Sequence, residues 1–157
     1  MNNIKTRIAV LILFPGLAFL IPAQAQEKQL TKQELPPAVQ KTIAEQYQNA
    51  TIKGYSSEIE NGARLYEVEL VVNGHHNDIS LNKNGNVVEV EEEVTLASLP
   101  PEVKSGLLQA AGAGTIEKVE SLTKNNRLVA YEASVKKGTK HSEVQVGPTG
   151  RPLAHEE

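Results

Sequence analysis

The sequence predicts an α+β protein of two tandem modules, each an N-terminal helix packed on a four-stranded antiparallel meander. Three observations predict it. First, Leu35-Pro36-Pro37-Ala38-Val39 returns as Leu99-Pro100-Pro101-Glu102-Val103, an offset of 64 that recurs at Ile52 and Ile116. The offset becomes 65 at Tyr66 and Tyr131, His76 and His141, and Gly85 and Gly150, as one residue inserted near Asn125-Asn126 would cause. A repeat of fixed period marks one structural unit used twice. Second, within each copy the apolar period starts near four and then changes to two, the passage from helix to strands. Third, Asn61-Gly62, Asn73-Gly74 and Asn84-Gly85 fall where such strands must turn.

The first 25 residues read as an address rather than as part of the fold. Lys5 and Arg7 make a basic start, Ile8 to Ile21 is an apolar run broken by Pro15-Gly16, and Ala23-Gln24-Ala25 offers the small residues of a cleavage site. Cleavage after Ala25 leaves Gln26 as the N-terminus of a periplasmic or secreted protein. The apolar run is shorter than the roughly 20 residues that cross a bilayer, so no membrane span is expected after cleavage. The chain has no cysteine, which excludes both a lipidated anchor and disulfides. Residues 26–94 form the first module and residues 95–157 the second. Each would be marginal alone, so the two are expected to pack together or to share a sheet edge.

The elements follow in order. Pro36 and Pro37 suit a first helical turn, and Val39, Ile43 and Tyr47 then line one helix face. Tyr55 to Ile59 is a first strand, ended by Asn61-Gly62. Tyr66, Val68, Leu70 and Val72 alternate with Leu65, Glu67, Glu69 and Val71, so the next strand buries one face and shows the other. Ile79 and Leu81 continue the buried face, and Val88 and Val90 alternate with Glu89 and Glu91 in the last strand. In the second copy Val103, Leu107 and Ala111 repeat the helical spacing, while Gly106, Gly112 and Gly114 predict a shorter or looser helix. Its strands run from Val119 to Lys124, through Tyr131, Ala133 and Val135, and through Val144 and Val146, with a short final strand after Gly150. Tyr55, Tyr66 and Tyr131 are inward-facing anchors.

Leu-Pro-Pro-x-Val opening a helix behind a signal peptide, Tyr66-Glu67-Val68-Glu69 after Asn61-Gly62, and Asn84-Gly85 before Val87-Val88-Glu89-Val90 together resemble the PepSY and PepSY-like domains of exported bacterial proteins. In fold they also resemble the β-lactamase-inhibitor-protein-like group. The resemblance covers nearly all of the mature chain in two copies. It implies a small exported binding module, with peptidase inhibition among the roles it suggests, gripping a partner with the open face of its sheets. It brings no catalytic motif. Tyr66, Tyr131, Gly85 and Gly150 match its pattern, whereas Asn125-Asn126-Arg127 and Pro148-Thr149-Gly150 depart from it in the second copy.

Charge separates the two copies. Residues 26–94 carry 6 Lys or Arg against 12 Asp or Glu, net −6, and residues 95–157 carry 8 against 7, net +1. This argues against a nucleic-acid partner, which needs a basic groove. A helix covers one face of a sheet, so the other is left open. Alternation puts Glu58, Glu60, Glu67, Glu69, His76, Asp78, Glu89, Glu91 and Glu93 on that open face. Like charges across strands repel. A solvated acidic surface is the plain explanation; a basic protein or peptide partner, or a divalent cation such as calcium, would offset the repulsion.

The candidate partner-binding residues are Glu67, Glu69, Asp78, Glu89 and Glu91. His76 two residues before Asp78, and His141 two before Glu143, each place an imidazole and a carboxylate on one strand face, the beginning of a zinc or copper site or an ordinary hairpin surface. Lys136-Lys137-Gly138-Thr139-Lys140 is a basic hairpin tip, able to meet an acidic surface or simply to stay solvated. No nucleophile has a recognisable base and no glycine-rich phosphate loop opens a helix, so the chain is not expected to be an enzyme. The expected function is non-enzymatic binding of an exported or envelope protein or peptide with a basic surface. The alternative is a divalent-cation-binding or envelope-stress accessory protein that uses the same carboxylates.

Overall fold

Diproline steps open both helices of the computed structural model, which describes residues 27–60, 62–153, 155 and 157. The expected signal peptide and its cleavage site lie outside the described residues. Helix α1 spans Pro37–Gln46 and α2 spans Pro101–Ala111, with Pro36 and Pro100 as their extended N-caps. Proline suits these positions because the first helical N–H groups have no intrahelical acceptor. Val39 and Ile43 are the buried residues of α1, and Val103 and Leu107 those of α2, each pair one helical turn apart. At 11 residues α2 is not shorter than the 10-residue α1, so of the shorter or looser helix expected from its glycines the shorter one is not found. Gly112 stands beyond its end, at φ 57°, as the C-cap. Gly106 is kept small by a neighbour: a Cβ there would collide with the carbonyl oxygen of Gly150.

Among the described residues eight strands follow the chain: β1 (Lys28–Gln29), β2 (Thr51–Glu60), β3 (Ala63–Val72), β4 (His75–Asn82), β5 (Val87–Glu93), β6 (Thr115–Lys124), β7 (Arg127–Lys137) and β8 (Lys140–Val146). They form one antiparallel sheet in sequence order. The expected arrangement of two four-stranded sheets is replaced by one continuous sheet, in which the copies share an edge, one of the two arrangements expected for them. The outer edge of β5 does not stay open but pairs with β6 from Glu89↔Lys124 to Glu93↔Glu120. An unpaired edge leaves backbone donors and acceptors exposed, and a neighbouring strand of the same chain satisfies them. The second copy contributes three strands. Where its fourth was expected there is a single bridge, Val146↔Pro152, because Pro148 and Pro152 have no N–H to give to a ladder.

The repeat is visible in the irregularities as well. The β2–β3 register skips Lys53, between Ile52 and Gly54, and the β6–β7 register skips Glu117 at the matching place. The residue that changes the offset to 65 is absorbed as a further bulge: Leu122 faces Ala130 and Thr123 faces Leu128, leaving Val129 unpaired. Strand alternation therefore recovers its phase beyond the insertion.

Both helices lie on one side of the sheet. Val39 and Ile43 pack with Leu35, Val68, Leu70, Ile79 and Leu81, with Tyr55 and Tyr66 against that cluster. Val103 and Leu107 pack with Leu99, Val119, Ala133, Val135 and Val146, with Tyr131 alongside. Register carries the same side across the junction, from Ile79 to Val90 to Thr123 and along β6 to Val119. Among the described residues the opposite side of the sheet carries no helix.

Candidate functional site

Strand register composes the open face in rows. In the first row Ser56 faces Glu67, Glu67 faces Ser80, Ser80 faces Glu89 and Glu89 faces Lys124. The second row runs through Glu69, Asp78, Glu91, Leu122 and Ala130. In the third, Glu93 accepts a hydrogen bond from the His76 N–H at 3.4 Å and is followed by Glu120, Glu132 and Gln145. All five residues expected to bind a partner, Glu67, Glu69, Asp78, Glu89 and Glu91, thus share this face. Glu58, Glu67, Asp78, Ser80, Glu89 and Glu91 line a polar recess of about 70 Å³ in it.

The second copy adds residues that sequence reasoning did not bring here. Glu120 is buried, at 4% exposure, and Leu122 and Ala130 are buried beside it although no helix among the described residues covers them. Lys118 meets Glu120 at 2.8 Å, and Lys124 lies 3.1 Å from Glu89 and 3.7 Å from Glu60. Gln145 donates to Glu132 at 2.6 Å. The alternation of Val119 and Ser121 with Glu120 and Leu122 is present in the sequence. A shared sheet edge between the copies was expected, but not which strands would form it, and only the β5–β6 pairing carries Glu120 to the carboxylates of the first copy.

Two lysines do not balance this face. Burial, then repulsion from Asp78, Glu27 and Glu58, pushes the Glu67 carboxyl up to about 7, against a weak hydrogen bond from Ser56 at 3.4 Å. Burial, then Glu120 and Glu89, pushes Glu91 up to about 8. Asp78 is raised by burial, then by Glu120 and Glu69, with Lys118 and His76 opposing. Glu58 and Glu132 are raised as well, chiefly by burial. Desolvation and like charge act together here, each favouring the neutral acid.

Asp78, Glu91 and Glu120 each bring a carboxylate oxygen within 4.8 Å of the others. The Oδ1 atom of Asp78 is buried without a hydrogen-bond partner. Oxygen-only ligands from three carboxylates suit a hard divalent cation better than zinc or copper. The two imidazole–carboxylate pairs, His76 with Asp78 and His141 with Glu143, are not brought together. His76 and Asp78 stand on β4, and His141 and Glu143 on β8, four strands away in the sheet. At roughly 4.8 Å per strand that separation is far beyond a shared coordination sphere. His141 instead approaches Glu117 at 3.3 Å, where Lys136 also binds at 3.6 Å. The basic hairpin tip is therefore partly occupied by an acidic residue of its own copy.

A family described as "Putative beta-lactamase-inhibitor-like, PepSY-like" matches residues 23–73 and 64–147. No curated protein matches the chain. Among solved structures, a BLIP-like protein from Bacteroides fragilis is 25% identical, with TM-score 0.57 over 78% of this chain and 86% of the other. A protein from Bacteroides eggerthii, described as a putative periplasmic protein, is 19% identical, with TM-score 0.64 over 76% and 86%. A DUF2874 family protein from Bacteroides ovatus is 19% identical, with TM-score 0.59 over 76% and 84%. Among the described residues no helix is long and apolar enough to cross a membrane.

Proposed function

Since this chain belongs to the PepSY-like, beta-lactamase-inhibitor-like family, we propose that it is an exported, non-catalytic binding protein whose open acidic face receives a basic protein or peptide surface. The observation that carries this reading is the row-by-row gathering of Glu67, Glu69, Asp78, Glu89 and Glu91 on the side of the sheet that no helix among the described residues covers. Burial and mutual repulsion lift Glu67 to about 7 and Glu91 to about 8, so the empty face holds its charge at a disadvantage. A cationic surface would relieve that disadvantage and would be steered toward the face by its field. Export is supported by the sequence of residues 1–25 and by the periplasmic description of a structural neighbour. An enzyme with a basic rim is one such partner, and the family description favours inhibition as the form of binding.

Affinity capture from envelope extracts with the mature chain tests the reading, run beside a variant carrying Glu67→Lys, Glu69→Lys and Glu91→Lys. The expected result is a partner retained at low salt, released by high salt and absent from the charge-reversed variant. Retention of every partner by that variant would sink the proposal.

A second reading rests on one observation, the unpartnered Oδ1 of Asp78 beside Glu91 and Glu120. In it the three carboxylates hold a divalent cation, calcium being the natural fit to an all-oxygen set. Calorimetry with millimolar calcium and micromolar zinc, repeated on Asp78→Asn, separates the two readings. Heat and thermal stabilisation that vanish in the variant support the cation; their absence from the parent protein removes it.

A further inference from the structure

A second recess lies on the helix-bearing side of the sheet, away from the acidic face and independent of the reading above. It occupies about 370 Å³ between the C-terminal end of α1, the β3–β4 hairpin and β5. Tyr47, Ala50 and Val72 give it an apolar wall, and Asn49, Asn77 and Glu92 give it polar groups. Its volume lies within the roughly 300–1,000 Å³ of sites that enclose small ligands or single side chains.

The polar residues are out of place for packing. Asn77 and Glu92 face one another in register, in line with Ile79 and Val90, where alternation calls for apolar side chains. Asn77 is buried, at 9% exposure, yet its amide donates only to the carbonyl of His75 on its own strand, at 3.2 Å. Glu92 lines the recess without any ion-pair partner among the described residues. The first hydrophobic cluster reaches the pair from one side, through Leu70 in register with Asn77 and through Tyr47, Ala50 and Val72, while the second gathers around Val119 and Ala133. A buried amide and an unpaired carboxylate at the end of an apolar wall form a receptor for a cation carried on an alkyl stem.

We propose that this recess binds a lysine or arginine side chain presented by a partner peptide, with the stem along Val72, Ala50 and the Tyr47 ring and the cationic head at Glu92 and Asn77. Long basic side chains divide in this way between apolar stem and charged head. A charge-assisted hydrogen bond to a carboxylate and an aromatic ring beside the cation are the usual means of holding the head. A neutral polyol would leave Glu92 without a counter-charge, and a bare metal ion would not fill the volume.

The test is a backbone amide NMR titration of the mature protein with the methylamides of Nα-acetyl-lysine and Nα-acetyl-arginine. The methylamide of Nα-acetyl-norleucine serves as the neutral stem and glucose as the polyol. Saturable shifts at Tyr47, Ala50, Val72 and Asn77 are expected with the basic ligands, and about a tenfold weakening in Glu92→Gln. Glu92 is exposed, so the variant keeps the fold. Glu102→Gln, at an exposed carboxylate on α2, is expected to leave the affinity unchanged. Equal binding of the norleucine compound, preference for glucose, shifts confined to the acidic face, or no saturation at tens of millimolar ligand would each overturn the proposal.

Discussion

At the scale of single residues the distinctive property of this protein is carboxylates held where ionisation is disfavoured. Glu67 titrates near 7 and Glu91 near 8, both displaced upward first by burial and then by neighbouring acids. In the unfolded chain these groups titrate near their ordinary value of 4.5. Between that value and about 8 the native state therefore holds more protons than the unfolded one. The linked stability is complete below the unfolded pKa and is lost as pH rises through the folded values. Thermal unfolding should show a midpoint that falls steadily from about pH 5.5 to about pH 8.5. Glu91→Gln, which removes one of the two groups, should flatten the profile and raise stability at the alkaline end by about 1 kcal/mol, after discounting for partial exposure. A midpoint that rises over this interval would show that the open face carries no such strain.

At the scale of elements, the two copies solve one packing problem with different residues. A turn late in each copy passes over the first part of its helix, at Gly85 over Ala38 and at Gly150 over Glu102, and a Cβ on either glycine would strike the helix backbone. In the first copy the Thr42 hydroxyl donates to the carbonyl of Gly85 at 2.8 Å. The matching position in the second copy is Gly106, which lets the Gly150 carbonyl come closer still. Alanine is the better helix former by about 1 kcal/mol, yet Gly106→Ala should destabilise the protein by about 1–3 kcal/mol, because the added methyl must displace the turn. Thr42→Ala should lose about 1 kcal/mol through its hydrogen bond. Denaturant midpoints at constant slope would check both, and stabilisation by Gly106→Ala would refute the packing account. Sequence reading located these glycines and helix faces because repetition and alternation are local signals. It misjudged the length of α2, since Gly106 answers to a carbonyl 44 positions along the chain and not to helix propensity. The final strand of the second copy failed for a local reason that was legible, the prolines at 148 and 152.

At the scale of the whole molecule, the β5–β6 pairing turns two copies into one sheet and two acidic or mixed surfaces into one continuous face. Alternation named Glu67, Glu69, Asp78, Glu89 and Glu91, because their common face depends only on strand parity and hairpins. Glu120, Lys118 and Lys124 were not legible, because their arrival depends on which strand edges meet, and edges carry no sequence period. That junction should also decide how the protein unfolds. The hydrophobic clusters under α1 and α2 are separate, which by itself would allow two transitions. Against this, five paired positions join β5 to β6, and Lys124 of the second copy binds Glu89 and Glu60 of the first with its side chain only 23% exposed. Each copy alone is of a size that buries too little surface to be more than marginally stable. Calorimetry of the mature chain at neutral pH should therefore give a single transition whose van't Hoff and calorimetric enthalpies agree. Lys124→Gln leaves Glu89 without its cation and should lower the midpoint by a few degrees, in keeping with a loss of about 1 kcal/mol for a partly buried pair. Two resolved transitions in the parent protein would show that the shared sheet does not couple the copies, and that the acidic face is two surfaces that happen to adjoin.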